Sequence, residues 1–339
     1  MTDLPKRPTR RRAIAIFAAT AAGALAGGSA RSSTDYEWRG VAMGADATIQ
    51  FNGIERNAAR AAVDLVEAEI DRLESALSLF RADSELCRLN RDRRLPSPSA
   101  DLRRALTLAV DTAAASGGLF DPTVQALWEA HVDWFAAAPE AGAPPEELIR
   151  RARTAVDWRG VRIEADQVRL RDGQRVTLNG LGQGYVTDRI AELLAGRGMK
   201  HVLVDLGEQR AIAPRLDGQA WRIARADQEP LALRHGALAT SEGAGCVLGD
   251  KGAAHHLFDP RSGRSAARWK TVTVHHRSAA VADALSTAFY IASADEIAAL
   301  LPGFPGTVVW TRDHAGVDRR WVAAPIDEPD VTGPGVTGN

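Results

Sequence analysis

Along residues 63–80 apolar side chains return every three or four positions: Val63, Val66, Ile70, Leu73, Leu77 and Phe80, with charges between them. That period predicts a long amphipathic helix. A second helical pattern runs from Ala100 to Ala115, behind Pro-Ser-Pro-Ser as breaker and cap. Residues 41–51 (VAMGADATIQF) have strand character, with Val41, Ala47, Ile49 and Phe51 apolar. Residues 116–131 (SGGLFDPTVQALWEAH) read as a glycine-rich turn entering a helix that carries Val124, Leu127 and Trp128. Residues 136–148 are rich in Ala and Pro, a surface excursion, and short strands are expected around 160–180. From Tyr185 onward Val186, Ile190, Leu193 and Leu194 share a helical face that stops at Gly196-Arg197-Gly198. HVLVDLG (201–207), WKTVTVHH (269–276) and TVVWT (307–311) read as strands, and AVADALSTAFYIAS (280–293) as a helix. There is no internal repeat. Strands and helices mix without strict βαβ alternation, which predicts an α+β fold in a single domain over 31–325.

Composition adds little: 45% hydrophobic and 25% charged residues describe an ordinary globular chain of 339 residues. A formal net charge of -1 argues against a dedicated nucleic-acid binder. The charge is uneven, however. Residues 1–30 carry +4, from Lys6, Arg7, Arg10, Arg11 and Arg12 against Asp3, and the remainder carries -5. This basic head precedes AIAIFAATAAGALAGGSA, an Ala/Gly-rich apolar stretch, and together they read as an export signal of the twin-arginine type, cleaved near Ala30. A membrane anchor is the weaker reading, since a span wants about 20 predominantly apolar residues. The expected destination is the periplasm. Residues 326–339, rich in Gly, Pro and Thr, read as a flexible tail. Cys87 and Cys246 have no metal-binding spacing, and sequence leaves open whether they pair.

Four stretches offer chemistry. In VTLNGLGQGYVTDRIAELL (176–194), Gly180, Gly182 and Gly184 alternate between a β-branched run and a helix. This is neither a dinucleotide fingerprint nor a P-loop. It is either a plain tight turn or a place where a ligand lies against bare backbone at a helix N-terminus, which favours negative charge. Asp283 and Thr287, four apart, share a helix face. A carboxylate and a hydroxyl suit a hard cation such as Mg²⁺; the alternative is a helix-start acid and a Thr bonded back to its own helix. His255-His256-Leu257-Phe258-Asp259-Pro260 reads as a structural corner or as an imidazole placed beside a phosphate. Gly118-Leu119-Phe120-Asp121-Pro122 has the same character.

Taken in order, these pieces resemble the FAD:protein FMN transferases, the ApbE family. The matching segments are MGADATI (43–49), FRADSELCRLN (80–90), SGGLFDPTVQALW (116–128), LNGLGQGYVTDR (178–189), VLVDLG (202–207), LATS (238–241), HHLFDPRSG (255–263) and ADALSTA (282–288). The LNG-x-x-QGY-x-TDR and HHLFDP wording is most similar to NosX-type members, associated with nitrous-oxide respiration.

The resemblance implies a flavin transferase fold, FAD as donor, Mg²⁺ as helper, and a Thr or Ser hydroxyl of an acceptor flavoprotein as nucleophile, with AMP released. It implies Asp283 and Thr287 as metal ligands with a backbone oxygen near Gly180. It places Met43, Phe80, Leu119, Phe120, Asp121, Thr177, Gln183 and Leu257 around FAD, and gives His256 a phosphate-side role as proton acceptor. The acceptor would be a periplasmic or membrane-anchored electron-transfer protein. Two other readings share this site: an Mg²⁺-dependent FAD pyrophosphatase, and a non-catalytic FAD carrier. Four departures stand out. Gln183 replaces a Lys or Glu, Gly207-Glu208-Gln209 replaces Gly-Gly-Asp/Glu, the segment after Thr240-Ser241 lacks an aromatic, and Asp46 replaces a small or uncharged residue.

Overall fold

The computed structural model describes residues 35–226, 228–249, 252, 254–323 and 330–333. The expected export segment, residues 1–30, lies outside them. Eight strands form the main sheet: β1 (Tyr36–Ala42), β2 (Ala45–Phe51), β3 (Val202–Asp205), β4 (Gln209–Ala211), β5 (Gly236–Glu242), β6 (Thr271–His276), β7 (Val308–Arg312) and β8 (Asp318–Val322). They lie side by side in chain order. Every neighbouring pair is antiparallel. The helices enter as insertions into this meander: α1 (Arg56–Leu77), α2 (Glu85–Asp92), α3 (Ala100–Ala115), α4 (Gln125–Ala137), α5 (Glu146–Arg153), α6 (Gly182–Ala195), α7 (Ala279–Ile291) and α8 (Ala294–Leu300).

The sheet is buried on both faces, and the two-residue strand period sorts its side chains. On one face Ile49, Val204, Ala239, Val274 and Val309 pack with Val63, Val66 and Ile70 of α1, Val186 and Ile190 of α6, and Leu285 and Phe289 of α7. On the other, Leu203, Ala211, Leu238, Val308 and Trp310 meet Trp221, Ile223, Leu231, Leu233 and Val331. This second layer is a small sheet of Trp221–Arg225, Gln228–Leu233 and Val331–Thr332. The α+β expectation is met in one domain.

Several elements differ from the sequence reading. Residues 41–51 are not one strand but the end of β1, a two-residue turn and β2. Met43 (φ 52) and Gly44 (φ 80) both take the left-handed region, the pattern of a tight hairpin turn. Phe80 lies beyond α1, which ends at Ser78. The helix placed from Tyr185 starts at Gly182. Within the expected flexible tail, Val331 and Thr332 pair with Leu233 and Ala232, and Val331 is fully buried; the remainder of 326–339 apart from 330–333 lies outside the described residues. Cys87 and Cys246 are both free thiols. Among the described residues no helix is long and apolar enough to cross a membrane.

Candidate active site

Four segments meet where α6 begins. Gly184 lies so close to α7 that a Cβ there would stand 2.3 Å from the Ala279 carbonyl oxygen, so only glycine permits this helix contact. Its N–H donates to Asp283 Oδ2 at 3.2 Å. A Cβ on Gly180 would stand 3.2 Å from Thr287 Oγ1 and 3.1 Å from the Phe120 ring. Asp283 and Thr287, one turn apart on α7, are thus both brought against the glycine segment. A Cβ on Gly182 would meet Met43 at 3.4 Å, and one on Gly44 would meet the Phe80 ring at 3.4 Å. Met43 is buried, and its N–H donates to Glu74 at 2.7 Å. Phe80 is exposed.

The Gly118–Pro122 turn forms another wall. Leu119 and Phe120 are buried, and the Phe120 N–H donates to Ser116 Oγ. Asp121 is engaged by its surroundings: Oδ1 accepts the Thr123 N–H and hydroxyl at 2.7 and 2.6 Å, and Oδ2 accepts the Trp158 N–H at 3.1 Å. What Asp121 gives the site is the shape of this turn. Thr177 joins the turn to the glycine segment, donating its N–H to Pro122 O at 2.8 Å. Gln183 lies over the β3–β4 turn, 2.6 Å from where a Cβ on Gly207 would be.

The paired histidines approach from the far end of α7. His255 packs edge-on against Tyr290, one turn past Thr287, and its Nε2 meets Ala266 O at 2.6 Å. Leu257 is buried beside it and donates its N–H to His255 Nδ1. His256 Nδ1 lies 3.4 Å from Cys246 O, and burial holds its pKa down at about 4. The ring is therefore neutral at neutral pH.

Carboxyl groups gather in this region, and burial favours their neutral form. Burial pushes the Asp283 carboxyl up to about 7, against the opposing Gly184 N–H. Glu208, in the β3–β4 turn, is raised well above the ordinary carboxylate range by burial and then by the charges of Asp283 and Asp205, while the Thr240 N–H opposes. Asp205 is raised by burial too. Sequence reasoning noticed Glu208 only as a departure. Nothing in GEQ announces that its side chain turns inward beside Asp283. Asp46, the other acidic departure, is exposed.

The donor set fits a hard cation in a restricted sense. Among the described residues no group of three His, Cys, Asp or Glu side chains is arranged to hold a metal. Asp283 and Thr287 nevertheless offer oxygen donors beside a cradle at Gly180 that a Cβ would fill. Mg²⁺ commonly takes only one or two carboxylates and completes its shell with waters and phosphates.

The sequence model of the ApbE family matches residues 43–309, most of the chain. The chain belongs to the ApbE family. It is accordingly an enzyme of the flavin transferase class. The FAD:protein FMN transferase of Treponema pallidum is 28% identical over 281 residues, covering 73% of this chain and 75% of that protein. That of Vibrio cholerae is 30% identical over 248 residues, covering 67% and 73%. Among solved structures, the ApbE protein of Thermotoga maritima matches with a TM-score of 0.74 over 84% of this chain and 96% of its own, at 23% identity. The Pseudomonas stutzeri flavinyl transferase ApbE matches with 0.71 over 86% and 95%, at 24%. These two likenesses establish the shared ApbE fold.

Proposed function

We propose that this protein moves FMN from FAD onto a Thr or Ser hydroxyl of an acceptor flavoprotein, releasing AMP, with Mg²⁺ as helper. The observation that carries the reading is the meeting of Asp283 and Thr287 with Gly180 and Gly184 at the start of α6, in a chain of this family. In the reaction the acceptor oxygen forms a bond to the FMN phosphorus, the bond from that phosphorus to the bridging oxygen breaks, and AMP departs with that oxygen. The hydroxyl proton passes to His256. Burial keeps this imidazole neutral, the form in which it can take up a proton.

Asp283 and Thr287, with the Gly180 backbone oxygen, would hold Mg²⁺, which when bound neutralises the diphosphate and the departing AMP. The Gly184 N–H orients the Asp283 carboxylate for that task. The N-terminal end of α6 adds partial positive charge for the diphosphate. Met43, Phe80, Leu119 and Phe120 would supply apolar contacts for the rings of FAD, with Thr177, Gln183 and Leu257 as further contacts.

The test incubates the protein with FAD, Mg²⁺ and a periplasmic electron-transfer flavoprotein in its unflavinylated form. Flavin fluorescence that stays with the denatured acceptor, with one AMP per flavin, supports transfer. Free FMN and AMP without labelling would make the protein a FAD pyrophosphatase, and bound FAD with no AMP would make it a carrier. The basic head and Ala/Gly stretch support export to the periplasm, checked by the N-terminal sequence of the mature protein. The QGY-x-TDR and HHLFDP wording supports an acceptor from nitrous-oxide respiration.

A further inference from the structure

Asp188 lies one turn after Gly184 on α6, and its carboxylate has four partners. Oδ1 accepts from the Ala279 N–H at 2.8 Å and from Arg210 of β4. Oδ2 accepts from the Ser278 hydroxyl at 2.6 Å and the Ala280 N–H at 3.1 Å. Four lone-pair positions thus meet four donors. Ala279 and Ala280 open α7, and their N–H groups have no partner within a helix. The next one, of Val281, is taken by Ser278 Oγ, and that of Ala282 bonds the Ser278 carbonyl. The start of α7 is therefore capped from a neighbouring helix. Gly184 packs against Ala279 and Ala280 too and donates to Asp283 one turn further along α7, so two residues one turn apart on α6 fasten the start of α7.

We propose that Asp188 is a positioning residue for flavin transfer: by holding the N-terminus of α7 against α6 it sets where Asp283 and Thr287 stand relative to Gly180. The inference rests on the reading of Asp283 and Thr287 as cation ligands. Removing a partner that orients metal ligands weakens metal binding by about 10- to 100-fold. Asp188→Asn keeps the shape but can accept at one atom only and loses the ion pair with Arg210.

The test measures Mn²⁺ affinity by electron paramagnetic resonance in the presence of FAD, for the full chain and for Asp188→Asn, Ser278→Ala and Asp283→Asn. Near-ultraviolet circular dichroism serves as the check on folding. The expected result for Asp188→Asn is a native-like spectrum, Mn²⁺ binding weakened about 10- to 100-fold, and a rise in the KM for Mg²⁺ larger than any fall in kcat. Ser278→Ala, which removes one of the four donors, moves the same way by a smaller factor and stands in if Asp188→Asn fails to fold. A folded Asp188→Asn, or Ser278→Ala in its place, with wild-type Mn²⁺ affinity overturns the proposal, since a purely structural clamp would lower thermal stability alone. Wild-type binding by Asp283→Asn would instead overturn the cation reading beneath it.

Discussion

At the scale of single residues the site is a conflict between burial and charge. Asp283 is folded away from water and, among the described residues, the Gly184 N–H is its hydrogen-bond partner. Its carboxyl is raised to about 7, so the folded chain binds a proton there that the unfolded chain releases near pH 4. Such a group contributes stability that is full below the unfolded value and lost as pH rises through the folded one. Asp283→Asn should therefore stabilise the cation-free protein at pH 8 by up to about 4 kcal/mol, and change little at pH 4. Thermal unfolding in a chelator at the two pH values checks this. The same variant should lower FAD-dependent AMP release by about a hundredfold or more, because the proposed cation, which offsets the phosphate charge, would lose its one charged ligand. His256 has the opposite sign. Its value of about 4 lies below that of an exposed imidazole, so the ring stays unprotonated throughout pH 5–8, as a weaker base than an exposed imidazole. His256→Ala should cost about 10²- to 10⁴-fold in transfer, and the wild-type rate should show no acid limb near 6.5 from this imidazole. A wild-type rate for His256→Ala would make this histidine part of the turn only.

At the scale of elements, the long periodic pieces were legible and the short irregular ones were not. The patterns at 63–80 and 100–115 predict helices because apolar side chains return to one face, while that at 280–293 is apolar nearly all round and its helix is buried accordingly. The hairpin of β1 and β2 was hidden because a two-residue turn shifts the strand parity: Val41 is exposed and Ala42 buried, while Ala45, Ala47 and Ile49 are buried again after Gly44. Met43 in a left-handed turn position also gives none of the Asn-Gly signal that marks such turns. The candidate site was legible as motifs in order, and the structure brings Gly180, Phe120, Thr287, Gly184 and Asp283 together. Glu208 was illegible because a buried acid and a solvated one look alike in a turn. One small sheet sets like charges opposite one another. In it Arg169 of Gln167–Arg169 faces Arg94 on one side and Arg162 on the other, so three arginines stand in one row. Like charges directly opposite destabilise a strand pair by roughly 0.2–1 kcal/mol. Arg162→Glu should reverse that cost and raise the urea midpoint without a change in slope, and an unchanged or lower midpoint would show that the row carries no net repulsion.

At the scale of the whole molecule the eight-stranded sheet separates chemistry from reinforcement. The helical face holds α6 and α7 and with them the candidate site; the opposite face is closed by Trp221, Ile223, Leu231, Leu233 and Val331. Val331 comes from the far end of the chain, is fully buried, and pairs with Leu233 across the small sheet. Two residues later Gly333 lies so near Leu231 that a Cβ would stand 2.2 Å from its side chain. This last strand therefore seals the second core. Deleting residues 330–339 would expose Val331's contacts on Leu231 and Leu233 and leave Asp283, Thr287 and the glycine segment covered as before. Burying one such valine is worth about 1.5–3 kcal/mol, and the uncovered leucines add to it. The truncated protein should unfold at lower urea with an intact near-ultraviolet spectrum in its absence, while AMP release per folded molecule at 20–25 °C stays within about twofold, since additivity between such distant sites is the rule. A truncated chain that keeps wild-type stability would mean that the strand merely decorates the sheet; one that stays folded but loses transfer would mean that the two faces are coupled through β3, β5 and β7, the strands that contribute to both cores.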